Sequence, residues 1–169
     1  NSNEVIFHGD YLKFYNTGEI FQEGHYIDNQ KEGLWKKYYK NGSILSKIDF
    51  IDQAGIYYSY FESGEISSDG YFINEKKDGK WTEYYKNGNK KSELEYFDGN
   101  VDVNMPLLTY DLNGKILSKE FIKMTNGEII KDGQSFEYFP SGDIKSRGVY
   151  SYGYKSGEWL EFYERGQLF

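Results

Sequence analysis

Cysteine is absent from this 169-residue sequence, and proline, methionine and histidine occur only twice each. Without cysteine there is no disulfide framework, no thiolate metal site and no cysteine nucleophile; such a chain suits the cytoplasm and equally suits export without disulfides. No run of about 18 apolar residues is present, so no segment is long and apolar enough to span a bilayer as a helix. Basic residues are in the minority, 20 Lys and Arg against 27 Asp and Glu, for a net charge of -7. That balance disfavours nucleic acid and anionic lipid, which are held by cationic side chains that neutralise phosphate. The chain opens at Asn1 rather than Met, which points to a removed signal segment or a trimmed chain. The expected location leans towards export or the cell envelope, with the cytoplasm left open.

What the sequence has in quantity is tyrosine and glycine. There are 18 Tyr, 12 Phe and 3 Trp beside 19 Gly, yet the mean hydropathy is -0.79. Tyrosine packs its ring and leaves its hydroxyl at water, a composition for thin sheet layers rather than a thick aliphatic core. The glycines recur in one frame. Gly9, Gly33, Gly55, Gly79, Gly133 and Gly157 each open a unit, with Met105 in the equivalent place of the fifth, and a second glycine follows nine residues later in all seven: Gly18, Gly42, Gly64, Gly88, Gly114, Gly142 and Gly166. The frame covers residues 1–169 as a single repeat domain, its units starting near 9, 33, 55, 79, 105, 133 and 157 and the last one incomplete.

Counting from the opening glycine as position 0, position 5 is always aromatic: Phe14, Tyr38, Tyr60, Tyr84, Tyr110, Tyr138 and Phe162. Position 6 is aromatic in every unit but the fifth, where it is Asp111, and position 2 is Trp in three units, as Trp35, Trp81 and Trp159. Asn-Gly or Ser-Gly at positions 8 and 9 reads as a two-residue hairpin turn, so each unit is strand, turn, strand. Loops such as 28–32 and 74–78 then lead to the next hairpin. In that register position 6 faces 11, position 4 faces 13 and position 2 faces 15 on a more buried side. Position 5 lies on the other side beside the charged position 14, namely Glu23, Lys47, Asp69, Glu93, Lys119 and Arg147. Tyr11 and Tyr57 are expected to meet Gly24 and Gly70, where a missing side chain leaves room for a ring. Hairpins are marginal alone, so stability must come from stacking of neighbours.

Units such as Gly33-Leu-Trp-Lys-Lys-Tyr-Tyr-Lys-Asn-Gly42 and Gly79-Lys-Trp-Thr-Glu-Tyr-Tyr-Lys-Asn-Gly88 resemble the bacterial variant of the MORN repeat, roughly Gly-x-Trp-x-x-Tyr-Tyr-x-x-Gly. The resemblance implies an all-β fold, an elongated, twisted antiparallel sheet or solenoid of hairpins. It also implies a part in protein interaction or membrane association rather than catalysis; some bacterial relatives carry an antitoxin label. Met105, Leu107 and Asp111 in the fifth unit and Ser135 in the sixth depart from the pattern. A distorted or bulged stretch is therefore expected between about Asp98 and Gln134.

Candidates for chemistry are few. His8 and His25 have no serine in a nucleophile's context, and the pair Glu62 and Glu65 is ordinary for the turns of an acidic protein. Asp98, Asn100, Asp102 and Asn104 imitate the start of a calcium loop, but Val103 stands where that loop needs glycine and Thr109 where it needs its bidentate glutamate. The lysine pairs Lys36/Lys37, Lys76/Lys77 and Lys90/Lys91 are diluted by acidic neighbours. No catalytic residue, metal or cofactor is called for. The expected function is a non-catalytic protein-interaction scaffold, with the position-5 aromatics as the binding ladder. Carbohydrate or cell-envelope polymer binding and membrane-surface association through lipid headgroups are the alternatives. Because Phe169 falls halfway through the seventh unit, edge-to-edge self-association is a further expectation.

Overall fold

The computed structural model describes residues 6–169. The fold class is the expected one: all-β, antiparallel and built of successive hairpins, with no helix among the described residues. The strands are β1 (Gly9–Phe14), β2 (Ile20–Ile27), β3 (Gln30–Tyr38), β4 (Ile44–Phe50), β5 (Ala54–Tyr60), β6 (Ile66–Ile73), β7 (Lys76–Tyr84), β8 (Lys90–Phe97), β9 (Asn100–Val101), β10 (Leu107–Tyr110), β11 (Ile116–Thr125), β12 (Glu128–Tyr138), β13 (Ile144–Ser151) and β14 (Tyr154–Glu161). They fall into two compact units, Asn1–Asp78 and Gly79–Phe169. In the first, β1 to β6 pair in chain order. In the second, chain order again holds except that β9 pairs only with β8, and β8 goes on to pair with β10.

The turns are not where the sequence placed them. The Asn-Gly and Ser-Gly pairs at positions 8 and 9 do not form two-residue turns. In the second hairpin, the Gly42 N–H donates to the Tyr39 carbonyl at 3.0 Å and the Tyr39 N–H to the Ser43 carbonyl at 2.9 Å, with positive φ at Gly42 and not at Asn41. This is the three-residue hairpin loop in which one left-handed glycine forms a bulge. The two-residue turns lie instead between the repeat units, at Asp28-Asn29, Asp52-Gln53, Asn74-Glu75, Asp98-Gly99, Asn126-Gly127 and Tyr152-Gly153, where both residues have positive φ. Such a turn matches the right-handed twist of its strands and needs no further loop. Gln30–Glu32 and Lys76–Asp78, expected as loop, therefore belong to β3 and β7.

Register follows from these turns. Position 4 faces 13 and position 2 faces 15 as expected, as in Lys37 with Ser46 and Trp35 with Ile48. A shift between Lys37 and Tyr38 then sets position 5, not position 6, opposite position 11, so Ile44 lies across from Tyr38 and is exposed. The same shift occurs at Phe14, Tyr60, Tyr84, Tyr110 and Tyr138.

In the first unit the core is Trp35, Ile48 and Phe50, with Tyr11, Tyr26, Tyr57 and Phe72 packed on it. Gly24 does face Tyr11 across the ladder, as expected. What fills the space above it, however, is the Trp35 indole. A Cβ at Gly24 would lie 2.1 Å from Trp35 Cδ2. Opposite Gly24 the partner strand carries three residues, because His25 pairs with Glu32 and Glu23 with Lys36; the surplus turns back at Gly33, whose φ is 64°. Tyr26 lies edge-on to the indole at 4.7 Å, and Lys31 Nζ sits 5.2 Å from its ring centroid. One sheet thereby buries a tryptophan without a second layer over it.

In the second unit the arrangement recurs between Gly148 and Trp159, with Lys155 Nζ 4.2 Å from the indole. The sixth repeat departs from it in an ordered way. In the repeat frame Glu120 takes the glycine's position and Ser135 the tryptophan's, but here the two pair directly and the three-residue surplus moves on to face Phe121. Glu120 and Ser135 are both buried, and Lys131 Nζ meets Glu120 Oε1 at 2.6 Å. The stretch expected to be distorted contains the four-residue β10, the side pairing of β9, and a bulge at Phe121. It also contains most of β11–β12, the longest hairpin among the described residues.

Candidate functional site

Position 5 sits on the face opposite the buried tryptophans, because alternation along the strand puts it with positions 1 and 3. In the first unit β1, β3 and β5 carry Phe14, Tyr38 and Tyr60. Phe14 is exposed and the two tyrosines are half-buried. The Tyr38 hydroxyl donates to Glu23 Oε1 at 2.6 Å, and Lys36 Nζ meets the same oxygen at 3.1 Å. These two hydrogen bonds hold the Glu23 carboxyl below the usual carboxylate range. Burial, then the bond to Glu23, raises the phenol of Tyr38. Lys47 Nζ lies 5.6 and 5.7 Å from the ring centroids of Tyr58 and Tyr60.

In the second unit Tyr84, Tyr110, Tyr138 and Phe162 are all half-buried. The Tyr110 hydroxyl donates to Glu93 Oε2 in a short hydrogen bond, and Glu93 Oε1 meets Lys90 Nζ at 2.7 Å. Burial works to raise Glu93, but Lys90 and Tyr110 outweigh it and leave its carboxyl lowered. Burial together with Glu93 pushes the Tyr110 phenol up to about 12. Arg147 Cζ lies 5.7 Å from the Phe162 ring. Phe14 is thus open to solvent, while four of the position-5 rings meet the position-14 residue of the preceding repeat: Tyr38 and Tyr110 through their hydroxyls, and Tyr60 and Phe162 under a cation.

Apolar side chains lie exposed on this face in the first unit. Leu34, Ile56 and Tyr71 are 47%, 54% and 39% exposed, and with Ile51, Tyr58, Lys47 and Asp49 they line an open groove of about 660 Å³. Sequence reasoning missed these residues, since positions 1 and 16 vary in type from one repeat to the next. It also missed the role of position 6. Tyr15 donates to the Tyr38 carbonyl at 2.7 Å, Tyr39 to the Tyr60 carbonyl at 2.8 Å and Tyr85 to the Tyr110 carbonyl at 2.9 Å. Each phenol joins one repeat to the main chain of the next, at the register shift.

The other candidates have local partners. His8 Nδ1 lies 3.3 Å from Asp28 Oδ1 and His25 Nδ1 lies 2.8 Å from Asp10 Oδ1. Glu62 accepts from the Asn41 carboxamide at 3.0 Å. Asp102 Oδ1 accepts from both the main-chain and side-chain nitrogens of Asn104 at 3.0 Å, so the calcium-like segment closes on itself as a turn. No group of three or more metal-ligating side chains occurs among the described residues.

Five segments, residues 7–28, 31–52, 53–74, 77–98 and 131–152, match the family described as "MORN repeat variant". No curated protein sequence matches the chain. Among solved structures, a mutant of S. aureus TarM in complex with Fondaparinux, alpha-GlcNAc-glycerol and UDP is similar at 11% identity and a TM-score of 0.40. That match covers 59% of this chain and 19% of TarM. A GtfA/B complex is similar at 12% identity and a TM-score of 0.28, over 85% of this chain and 21% of that one. This chain thus spans about a fifth of either protein, and the likenesses are too weak to bear on function.

Proposed function

Because the chain belongs to the MORN repeat variant family, we propose that it is a non-catalytic repeat scaffold that binds another protein through the face carrying Tyr38 and Tyr60. The observation that supports this reading is the groove of about 660 Å³ on that face, whose Lys47 also lies over the Tyr60 ring. Its exposed Leu34, Ile56 and Ile51 are aliphatic, and its rim carries a lysine and a carboxylate, Lys47 and Asp49. Contiguous exposed apolar surface rimmed by charge of both signs is the pattern of a protein interface. Tyr58 and Tyr71 line the groove as well, but its most exposed apolar residues are aliphatic. A glycan is gripped chiefly by flat rings and hydrogen-bonding groups, and a lipid surface by clustered cations. The Tyr38 hydroxyl is already bonded to Glu23, so less side-chain freedom is lost when a partner settles on it.

The test is crosslinking followed by affinity capture from the native cell, with the intact chain and with Ile56→Lys as baits. Capture of a protein by the first and its loss with the second, while the far-ultraviolet circular dichroism of both agrees, supports the reading. Equal capture by the two, or recovery of glycan or lipid alone, overturns it.

A further inference from the structure

We propose that Asn126-Gly127 is a site of spontaneous covalent modification, at which the folded chain forms a succinimide and then isoaspartate, while its other Asn-Gly pairs are protected by the fold. The chain has four such pairs, Asn41-Gly42, Asn87-Gly88, Asn113-Gly114 and Asn126-Gly127. Glycine is the following residue in every case, so their intrinsic reactivity is the same. Differences between them must come from structure.

The reaction needs two freedoms. The main-chain nitrogen of the glycine, after losing its proton to solvent base, attacks the asparagine Cγ; the carboxamide nitrogen leaves as ammonia, taking up a proton from water. One water then opens the five-membered ring at either carbonyl, leaving aspartate or isoaspartate. The net change is one water in and one ammonia out, with no oxidant or reductant. A glycine N–H engaged as a hydrogen-bond donor resists the first step, and so does a carboxamide fixed by partners.

Three pairs are held. Asn41 Oδ1 accepts from the Ser43 N–H and hydroxyl at 2.9 and 2.7 Å, its Nδ2 donates to Glu62 at 3.0 Å, and the Gly42 N–H donates to the Tyr39 carbonyl at 3.0 Å. Asn87 Oδ1 accepts from the Asn89 N–H at 3.0 Å, its Nδ2 donates to the Leu112 carbonyl at 2.7 Å, and the Gly88 N–H donates to the Tyr85 carbonyl at 2.9 Å. At Asn113 only the nitrogen is held, through the Gly114 N–H bond to the Asp111 carbonyl at 3.0 Å.

The fourth pair is different because of where its turn lies. Asn126-Gly127 is a two-residue turn at φ 52° and 82°, on a hairpin that runs two residues further on each strand than the hairpin of Asp28-Asn29. Turns of ordinary reach are tied to their neighbours: the Gly153 N–H donates to the Lys131 carbonyl at 2.8 Å and the Asn29 N–H to the Phe7 carbonyl at 2.8 Å. The longer hairpin carries its tip past that contact. Both residues are exposed, and a Cβ at Gly127 would have no atom within 4 Å.

Isoaspartate at position 126 would insert one carbon into the main chain of a two-residue turn and place a new carboxylate two residues from Glu128. The β11–β12 hairpin would then lose register from its tip. The test is to hold the intact chain in warm, mildly alkaline buffer and to follow all four sites by peptide mapping with discrimination of aspartate from isoaspartate. A parallel sample is kept in denaturant. Conversion at Asn126 several-fold faster than at the other three in the folded chain, with the four rates converging in denaturant, is the expected result. The early acidic species on ion exchange should also vanish with Asn126→Gln. Equal rates in the folded chain, or a lead by Asn41, Asn87 or Asn113, would overturn the proposal.

Discussion

The six-membered ring of Trp35 stands where the side chain of Gly24 would be, with Cδ2, Cε2 and Cε3 at 2.1, 2.3 and 2.5 Å from a Cβ built there. The two residues are eleven apart in sequence and belong to successive repeats. Their contact explains how a single sheet buries an indole. Gly24→Ala forces a rigid ring off its seat, and the expected loss is about 3 kcal/mol, the upper end of overpacking costs. Trp35→Leu also destabilises, but the double substitution should cost clearly less than the two singles added, because the clash is gone once the ring is gone. Urea midpoints of the four proteins decide it; simple additivity counts against the contact.

The sixth repeat extends that logic. Ser135 is small, and the preceding repeat offers Glu120 rather than glycine, paired with Lys131. Ser135→Trp alone should destabilise strongly, by about 3 kcal/mol, since no glycine makes room for it. Glu120→Gly together with Ser135→Trp should recover part of that loss, because position 120 pairs directly with 135 and removing its side chain opens space for the indole. A pair that melts no later than Ser135→Trp alone would show that the seat depends on more than these two positions.

Much of this was legible in the sequence, and the gaps have physical causes. The repeat frame and the facing of position 2 with 15 follow from periodicity alone, as Trp35 opposite Ile48 shows. The turns were misplaced because Asn-Gly fits both a two-residue turn and the last two residues of a bulged three-residue loop. Meanwhile the real two-residue turns include Asp52-Gln53 and Asn74-Glu75, which contain no glycine at all. The position-5 ladder was visible residue by residue. Its half-burial was not, because Tyr38 meets Glu23 across a repeat boundary. The pairing of glycine with the tryptophan eleven residues on was present in the sequence at Gly24 and Trp35 and at Gly148 and Trp159, and it is readable only once a contact gives it meaning.

Gln53 holds a φ of 62° without the side-chain chemistry that eases the left-handed region. Gln53→Gly relieves that strain, partly offset by the greater freedom glycine gives the unfolded chain. The expected net effect is a gain of roughly 0.5–1 kcal/mol, read as a higher urea midpoint. A lower midpoint would mean that the glutamine side chain contributes more at this turn than its backbone costs.

Tyr39 tests the phenol that joins neighbouring repeats. Its hydroxyl donates to the Tyr60 carbonyl at 2.8 Å, while the ring itself needs no hydroxyl to pack. Tyr39→Phe should therefore lower stability by about 1 kcal/mol, the ordinary net value of such a bond. Amide hydrogen exchange should accelerate around residues 58–62 more than around the Gly42 turn. Uniform acceleration over the first unit would instead assign the loss to global unfolding.

Glu93 and Tyr110 predict how stability varies with pH. The fold lowers the Glu93 carboxyl, so its contribution is present above the ordinary value of 4.5 and is lost as pH falls through its folded value. The fold raises Tyr110 to about 12, so its contribution is complete below the ordinary value of 10.0 and is lost as pH rises from there through about 12. Tyr110→Phe removes the titrating hydroxyl and also takes a donor from Glu93. The variant should lose the alkaline decline between about pH 10 and 12 that this tyrosine causes. Its acid decline, which starts near the ordinary value of 4.5 in both proteins, should be smaller and end at a higher pH than that of the parent chain. Urea midpoints measured across the pH range for both proteins provide the comparison. An alkaline limb unchanged by Tyr110→Phe would assign that decline to other tyrosines and lysines, and an unchanged acid limb would show that Lys90 alone suffices to hold Glu93 ionised.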